Sequence, residues 1–184
     1  MYRKSSYDSP IGQITLATDE DQLVGLWLDG HKYLGQLGTT TPNALVAVDE
    51  QGQSRVARAT RDWLDRYFAG ERPDPGELPL RPMGSEFRQQ VWAQLLQIGY
   101  GEVASYQQIG LELGARRGRP TASRAVGGAV GHNPISIIIP CHRVIGADGS
   151  LTGYASGLAH KIALLELEGV DLSKMKIPTH GTAL

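Results

Sequence analysis

The chain has a single cysteine, Cys141, and that scarcity is the first constraint. One thiol forbids an internal disulfide, and the five histidines are scattered without zinc-finger spacing, so no structural metal is indicated. Long apolar runs are missing as well. Nothing approaches the roughly 20 residues of a membrane-spanning helix, and Met1-Tyr2-Arg3-Lys4-Ser5 is not followed by the apolar stretch of a secretory signal. A cytoplasmic protein without a membrane partner is the expectation. Net charge is small too, −1, which argues against wholesale nucleic-acid binding. That total conceals a local imbalance: between Ser105 and Arg143, Arg116, Arg117, Arg119, Arg124 and Arg143 face Glu112 alone, a net +4.

The remainder is ordinary for a globular protein. With 184 residues, 41% hydrophobic and 20% charged, the chain can bury a sizeable core as one large domain or two small ones. Gly12–Ala17 and Leu23–Leu28 read as two strands of a hairpin around Thr18-Asp19-Glu20-Asp21. Gly30 to Val48 is weakly patterned, with Thr39-Thr40-Thr41-Pro42 as loop. From Ser54, the positions Val56, Ala59, Trp63, Leu64 and Tyr67 mark one helical face that ends near Gly70. Pro73, Pro75, Pro79 and Pro82 cannot continue a helix and suit an extended connection between domains. The resulting division is an N-terminal unit at 1–75, a linker at 76–84, a C-terminal unit at 85–170 and a poorly ordered tail at 171–184.

In the C-terminal unit, Ser85 precedes a helix carrying Phe87, Val91, Trp92 and Leu95. Ser105-Tyr106-Gln107-Gln108 has the form of a capping box, opening a short helix to about Leu113 that Gly114 ends. Thr121 is placed to cap a second helix through Arg124, Val126 and Val130. Two short helices joined by a turn suggest a helix-turn-helix, a pattern also common in proteins that never touch DNA. The β-branched run Ile137-Ile138-Ile139 reads as a short buried strand ended by Pro140, followed by Cys141, His142 and Arg143. A thiol is a strong nucleophile only as thiolate, which near neutral pH needs a base or a positive charge beside it. From the residues alone Cys141 is either such a nucleophile or an inert buried thiol. Adjacent residues of an extended chain point to opposite faces, so a Cys141–His142 pairing needs a turn or a bridging water. A last helix through Leu158, Ile162 and Leu165 ends at Glu168-Gly169.

Pro140-Cys141-His142-Arg143-Val144, with Asn133-Pro134 before it and Gly153-Tyr154 and Glu168-Gly169 after it, resembles the O6-alkylguanine-DNA alkyltransferases, also called methylated-DNA-protein-cysteine methyltransferases. The matching segments are Phe87–Tyr106, Ser123–Val130, Asn133–Gly146 and Thr152–Gly169. The resemblance implies an α+β protein: a small ribonuclease H-like N-terminal domain and a mostly helical C-terminal domain with a winged-helix-like helix-turn-helix. It implies a monomer acting on double-stranded DNA that contains O6-alkylguanine, and on O4-alkylthymine. The base is flipped out and its alkyl group passes irreversibly to Cys141. His142, oriented by Glu168, acts through a water; Asn133 bridges the turns around the cysteine; Tyr106 helps rotate the nucleotide and assists the leaving guanine. Arg124 takes the place of the flipped base. Ser123 and Thr121 complete the DNA-binding set, together with Arg116, Arg117 and Arg119 in a connection about four residues longer than the family usually shows. Pro140, Val144, Tyr154, Ala155 and Ser156 would line the base pocket, with Ser156 where a smaller residue is frequent. Lys161 matches a cation at the pocket lip, although an exposed helix lysine reads the same way. The rivals are a base-binding module without transfer, a helix-turn-helix regulator, and a cysteine hydrolase.

Overall fold

The computed structural model describes residues 2–38, 45–48 and 54–178. Within them the chain separates into two compact units: residues 1–85 with 134–138, and 86–133 with 139–184.

In the first unit, β1 (Tyr2–Ser9), β2 (Gly12–Thr18), β3 (Leu23–Leu28) and β4 (Leu45–Val48) form one sheet in the order β3-β2-β1-β4. The expected β2–β3 hairpin is present, with Leu16 opposite Leu26. The strand β1 was not legible, because Arg3-Lys4-Ser5-Ser6 reads as surface. It lies between β2 and β4 and buries only Ser5 and Tyr7. The loop expected at Thr39–Pro42 lies outside the described residues. The helix α1 (Arg55–Phe68) is capped by Ser54, whose hydroxyl accepts from Ala57 N, and it buries Val56, Ala57, Thr60, Trp63, Leu64 and Tyr67. Tyr7 Oη donates to Asp65 Oδ1 at 2.7 Å, tying β1 to this helix.

Two expectations are corrected here. The proline-rich stretch is not a free extended linker: Asp74 forms a capping box on a 3-10 turn at Pro75–Glu77, and Leu23 N and Arg81 N hydrogen-bond across to Pro79 O and Leu23 O. Prolines bar a helix, but they leave carbonyls able to serve a sheet edge. The isoleucine triplet is not a strand. Only Ile135 bridges β3, through Leu26 N to Pro134 O and Ser136 N to Leu26 O, both 2.8 Å. The chain then turns, with Ile137 at φ 69, a conformation rare for a β-branched residue. Burial of Ile137, Ile138 and Ile139 accounts for their apolar character without a strand ladder.

In the second unit, α2 (Glu86–Leu95), α3 (Tyr106–Arg117) and α4 (Ser123–Gly131) pack around Val91, Trp92, Leu95, Ile109, Leu113, Val126, Ala129 and Val130. Trp92 Nε1 donates to Ala129 O at 2.9 Å. The capping box is present, Ser105 Oγ accepting from Gln108 N and Gln108 Oε1 from Ser105 N. Gly114 does not stop α3, which runs one turn further to Arg117 and ends at Gly118 in the left-handed region, φ 65. The reason for Gly114 is contact rather than termination: a Cβ there would sit 3.1 Å from Arg119 O, and one on Gly110 would sit 2.7 Å from Thr121 O. Thr121 is not the cap of α4; that position is Ala122, which has no side-chain bond. The short strands β5 (Ala104–Ser105) and β6 (Val144–Ile145) pair in parallel, and α5 (Leu158–Leu167) closes the unit. Beyond α5, Asp171 caps a 3-10 turn at Leu172–Lys174, and Lys176 pairs with Gly149 and Leu151.

Candidate active site

Cys141, His142 and Arg143 form a single 3-10 turn between Pro140 and β6. The turn takes the neighbours off the opposite faces of an extended chain, but consecutive residues of a helical turn do not face each other, so a Cys141–His142 relay still calls for a bridging water. Cys141 is 5% exposed. Asn133, at the end of α4, donates from Nδ2 to Ile139 O at 2.8 Å and to Cys141 Sγ at 3.1 Å, so one amide ties the preceding turn to the sulfur.

His142 is fully buried, and its Nε2 lies 2.7 Å from Glu168 Oε1. An ionised carboxylate only accepts, which places the imidazole proton on Nε2. Nδ1 is then the basic nitrogen, and it has no hydrogen-bond partner among the described residues. Burial pushes the His142 pKa down, the Glu168 bond opposes that, and the charges of Arg143 and Lys161 reinforce it.

Glu168 caps the C-terminus of α5. Burial works against its ionisation, but the hydrogen bonds and charges of His142 and Arg143 outweigh it and hold the carboxyl well below the usual carboxylate range. Arg143 was not singled out from sequence as a site residue. Its Nε and Nη2 donate to the two Glu168 oxygens at 2.8 and 2.9 Å, Nη1 donates to Ile98 O at 2.6 Å, and the guanidinium lies 5.8 Å from the Tyr100 ring centre. Its place directly after His142 was the available signal; nothing local could reveal a partner 25 residues away.

The pocket residues distribute as follows. Pro140, Val144 and Ser156 are buried, while Tyr154 and Ala155 are half-buried on the loop before α5. Tyr106, the first residue of α3, donates its hydroxyl to Thr152 O at 3.1 Å. A Cβ on Gly153, at φ 77, would lie 2.6 Å from that hydroxyl, so only glycine lets the loop approach the phenol. Burial, and then the Cys141 charge, raise the Tyr106 pKa far above its ordinary value and keep it a neutral donor. Lys161 is neither at a lip nor exposed. It is completely buried and donates to Val144 O at 2.5 Å and Thr152 O at 2.8 Å, with burial lowering its pKa to about 8.

The residues expected to meet DNA lie on α3, α4 and their connection. Arg124 and Ser123 are exposed at the start of α4, and Thr121 is half-buried. Arg116 and Arg119 are exposed, and neither forms an ion pair among the described residues. Arg117 differs: its guanidinium lies 5.1 Å from the Phe87 ring centre. No group of three or more His, Cys, Asp or Glu that could hold a metal occurs among the described residues, and no described helix is long and apolar enough to cross a membrane.

The model of the ribonuclease-like domain of 6-O-methylguanine DNA methyltransferase matches residues 2–82, and that of its DNA-binding domain matches 86–170. The methylated-DNA–protein-cysteine methyltransferase of Mycobacterium tuberculosis is 45% identical over 169 residues, 91% of this chain and 93% of the relative. That of Methanosarcina acetivorans is 44% identical over 167 residues, 89% and 96% of the two chains. Among solved structures, Mycobacterium tuberculosis OGT in complex with DNA matches with a TM-score of 0.73 at 40% identity, covering 94% of each chain. Mycobacterium tuberculosis O6-methylguanine methyltransferase matches with a TM-score of 0.73 at 42% identity, over 98% and 97% of the two chains.

Proposed function

This chain belongs to the methylated-DNA–protein-cysteine methyltransferase family of DNA-repair alkyl-transfer proteins, and from that premise we propose that Cys141 is the alkyl acceptor, spent once per molecule. The observation that carries the reading is the buried 3-10 turn of Cys141, His142 and Arg143, held by Asn133 at the sulfur and by Glu168 at His142 and Arg143.

The thiol proton passes through a bridging water to His142 Nδ1, while Glu168 holds the ring by Nε2. Asn133 Nδ2 donates to the resulting thiolate. Sulfur attacks the alkyl carbon, the S–C bond forms as the C–O6 bond breaks, and the electron pair leaves on guanine. Tyr106 donates a hydrogen bond to the departing ring, and the proton that left the thiol returns to the base, so guanine departs neutral. The thioether carbon is a poor electrophile and no group in the site is placed to remove it.

An alkylated guanine inside duplex DNA must be flipped out before the sulfur can reach it. Arg124, exposed at the first turn of α4, fills the vacated stack, with Ser123 and Thr121 beside it on the phosphate backbone. Tyr106, between Gly127 of α4 and the Gly153 loop, guides the rotating nucleotide. Pro140, Val144, Tyr154, Ala155 and Ser156 receive the base, guanine and O4-alkylthymine alike. Arg116 and Arg119 contact phosphates beyond the helix pair. The protein works as a monomer in the cytoplasm.

Incubation with an O6-methylguanine duplex followed by intact-protein mass measurement tests this directly. One methyl increment, mapped to Cys141 and never more, is the expected result. DNA binding without an increment would favour a non-transferring module or a regulator, and repeated turnover would favour a hydrolase.

A further inference from the structure

We propose that Arg143 is a positioning residue for the transfer reaction: its two-point grip on Glu168 leaves His142 uncharged and able to receive the Cys141 proton. The inference rests on the reading of Cys141 as alkyl acceptor given above.

A buried carboxylate beside an imidazole raises the proton affinity of that imidazole, because an opposite charge nearby favours the charged form. A base that already carries its proton cannot take another. Arg143 removes the demand. Its guanidinium is a planar cation whose fork matches a carboxylate, and Nε and Nη2 meet the two oxygens of Glu168 at 2.8 and 2.9 Å. The carboxylate is therefore neutralised before His142 contributes. The guanidinium is also fixed in place, by Nη1 on Ile98 O at 2.6 Å and by the Tyr100 ring.

The charged and titratable groups around His142 are consistent with this balance. Glu168 and Lys161 face it from α5, Arg143 and Cys141 flank it on its own turn, and Tyr106 of α3 senses the Cys141 charge. Burial is the largest influence against the imidazolium; Glu168 alone favours it, and the charges of Arg143 and Lys161 add to the opposition. Arg143 is the one of these two cations that also touches the carboxylate.

The test is the pH dependence of alkyl transfer from a free O6-alkylguanine base, which bypasses DNA binding, read as mass gain on the protein. In Arg143→Met, His142 should protonate more readily. The acid limb should move up by about one pH unit or more, the rate at pH 7 should fall about tenfold, and activity should recover at higher pH. Arg143→Lys, which keeps the charge, should retain the parent's limb. A lower rate at all pH values with an unmoved limb would mean a merely structural role and would overturn the proposal. Should Arg143→Met not fold, the parent protein decides the matter by nitrogen NMR of His142: a neutral ring protonated on Nε2 at pH 7 supports the inference, and an imidazolium overturns it. A parent that takes up no alkyl group at all would sink the reading of Cys141 instead.

Discussion

Lys161 and Glu168 show burial and partners pulling on individual charges: burial dominates at Lys161, and at Glu168 the hydrogen bonds and charges of His142 and Arg143 outweigh it. The Lys161 ammonium is completely enclosed and its pKa falls to about 8 from 10.5, so between those values the unfolded chain binds more protons than the folded one. The Lys161 contribution to stability therefore rises with pH across that window. Lys161→Met should flatten this rise in a series of urea unfolding curves from pH 7.5 to 10.5, and an undiminished rise would remove Lys161 as its source. Glu168 and His142 act at the other end. Their pKa values lie below the ordinary 4.5 and 6.5, so the stability each contributes is complete above those values and is lost as pH falls through the lower folded-state values. Acidification from pH 7 should weaken the protein in two stages. Glu168→Gln should abolish the second stage and, by stranding Arg143, cost about 3–5 kcal/mol at pH 7; a variant with the parent's acid branch would contradict this assignment. The His142–Glu168 pair follows from the family resemblance and the burial of Lys161 does not. Lys161 sits in a helix whose sequence neighbours suit an exposed face, and burial is a property of what packs on it.

At the scale of elements, the legible parts were those whose signals are local. The Ser105–Gln108 capping box, the β2–β3 hairpin and α1 each depend on residues within a few positions of one another, and each formed. The failures came where a distant partner decided. Arg3-Lys4-Ser5-Ser6 became a strand within the sheet because β2 and β4 flank it, and Ile137–Ile139 became a turn because only Ile135 finds a neighbouring strand. Gly114 looks like a terminator in the sequence, yet it lies inside α3, where the returning Arg119–Thr121 backbone needs the space. The Cys141–Arg143 site was legible as a set of residue types, but its Glu168 anchoring of Arg143 was not. Gly110 makes the point testable. A methyl there would stand 2.7 Å from Thr121 O, a backbone atom that cannot swing aside. Gly110→Ala gains about 1 kcal/mol of helix propensity but should lose about 1–3 kcal/mol to overpacking. It should also push the start of α4 off α3. Thermal unfolding should show a net loss, and affinity for a duplex should fall while transfer from a free base persists. A stabilised variant with parental DNA affinity would show that the helix pair does not need this close approach.

For the molecule as a whole, the net charge of −1 would predict weak and salt-insensitive association with DNA, yet the charge that matters is the local one. Four arginines lie between Ala115 and Arg124 without an acidic neighbour in that stretch, and they are not equivalent. Arg117 rests against the Phe87 ring and is committed to packing α3 on α2. Arg116 and Arg119 are exposed, and the connection that carries Arg119 is held against α3 by Arg119 N on Gly114 O at 3.2 Å. A charge presented on a held backbone loses less conformational freedom on meeting a phosphate than one on a loose loop. Each phosphate neutralised releases counterions and adds about 0.9 to the slope of log affinity against log salt. Replacing Arg116 and Arg119 together by Gln should therefore flatten the slope for duplex binding by up to about 1.8. Arg117→Gln should leave that slope unchanged and instead lower thermal stability by about 0.5–1 kcal/mol, the worth of an exposed cation–π contact. Anisotropy titrations from low to physiological salt, beside melting curves for the same variants, separate the two roles. A slope indifferent to Arg116 and Arg119, or one that Arg117 changes as much as they do, would return all three to the solvated surface.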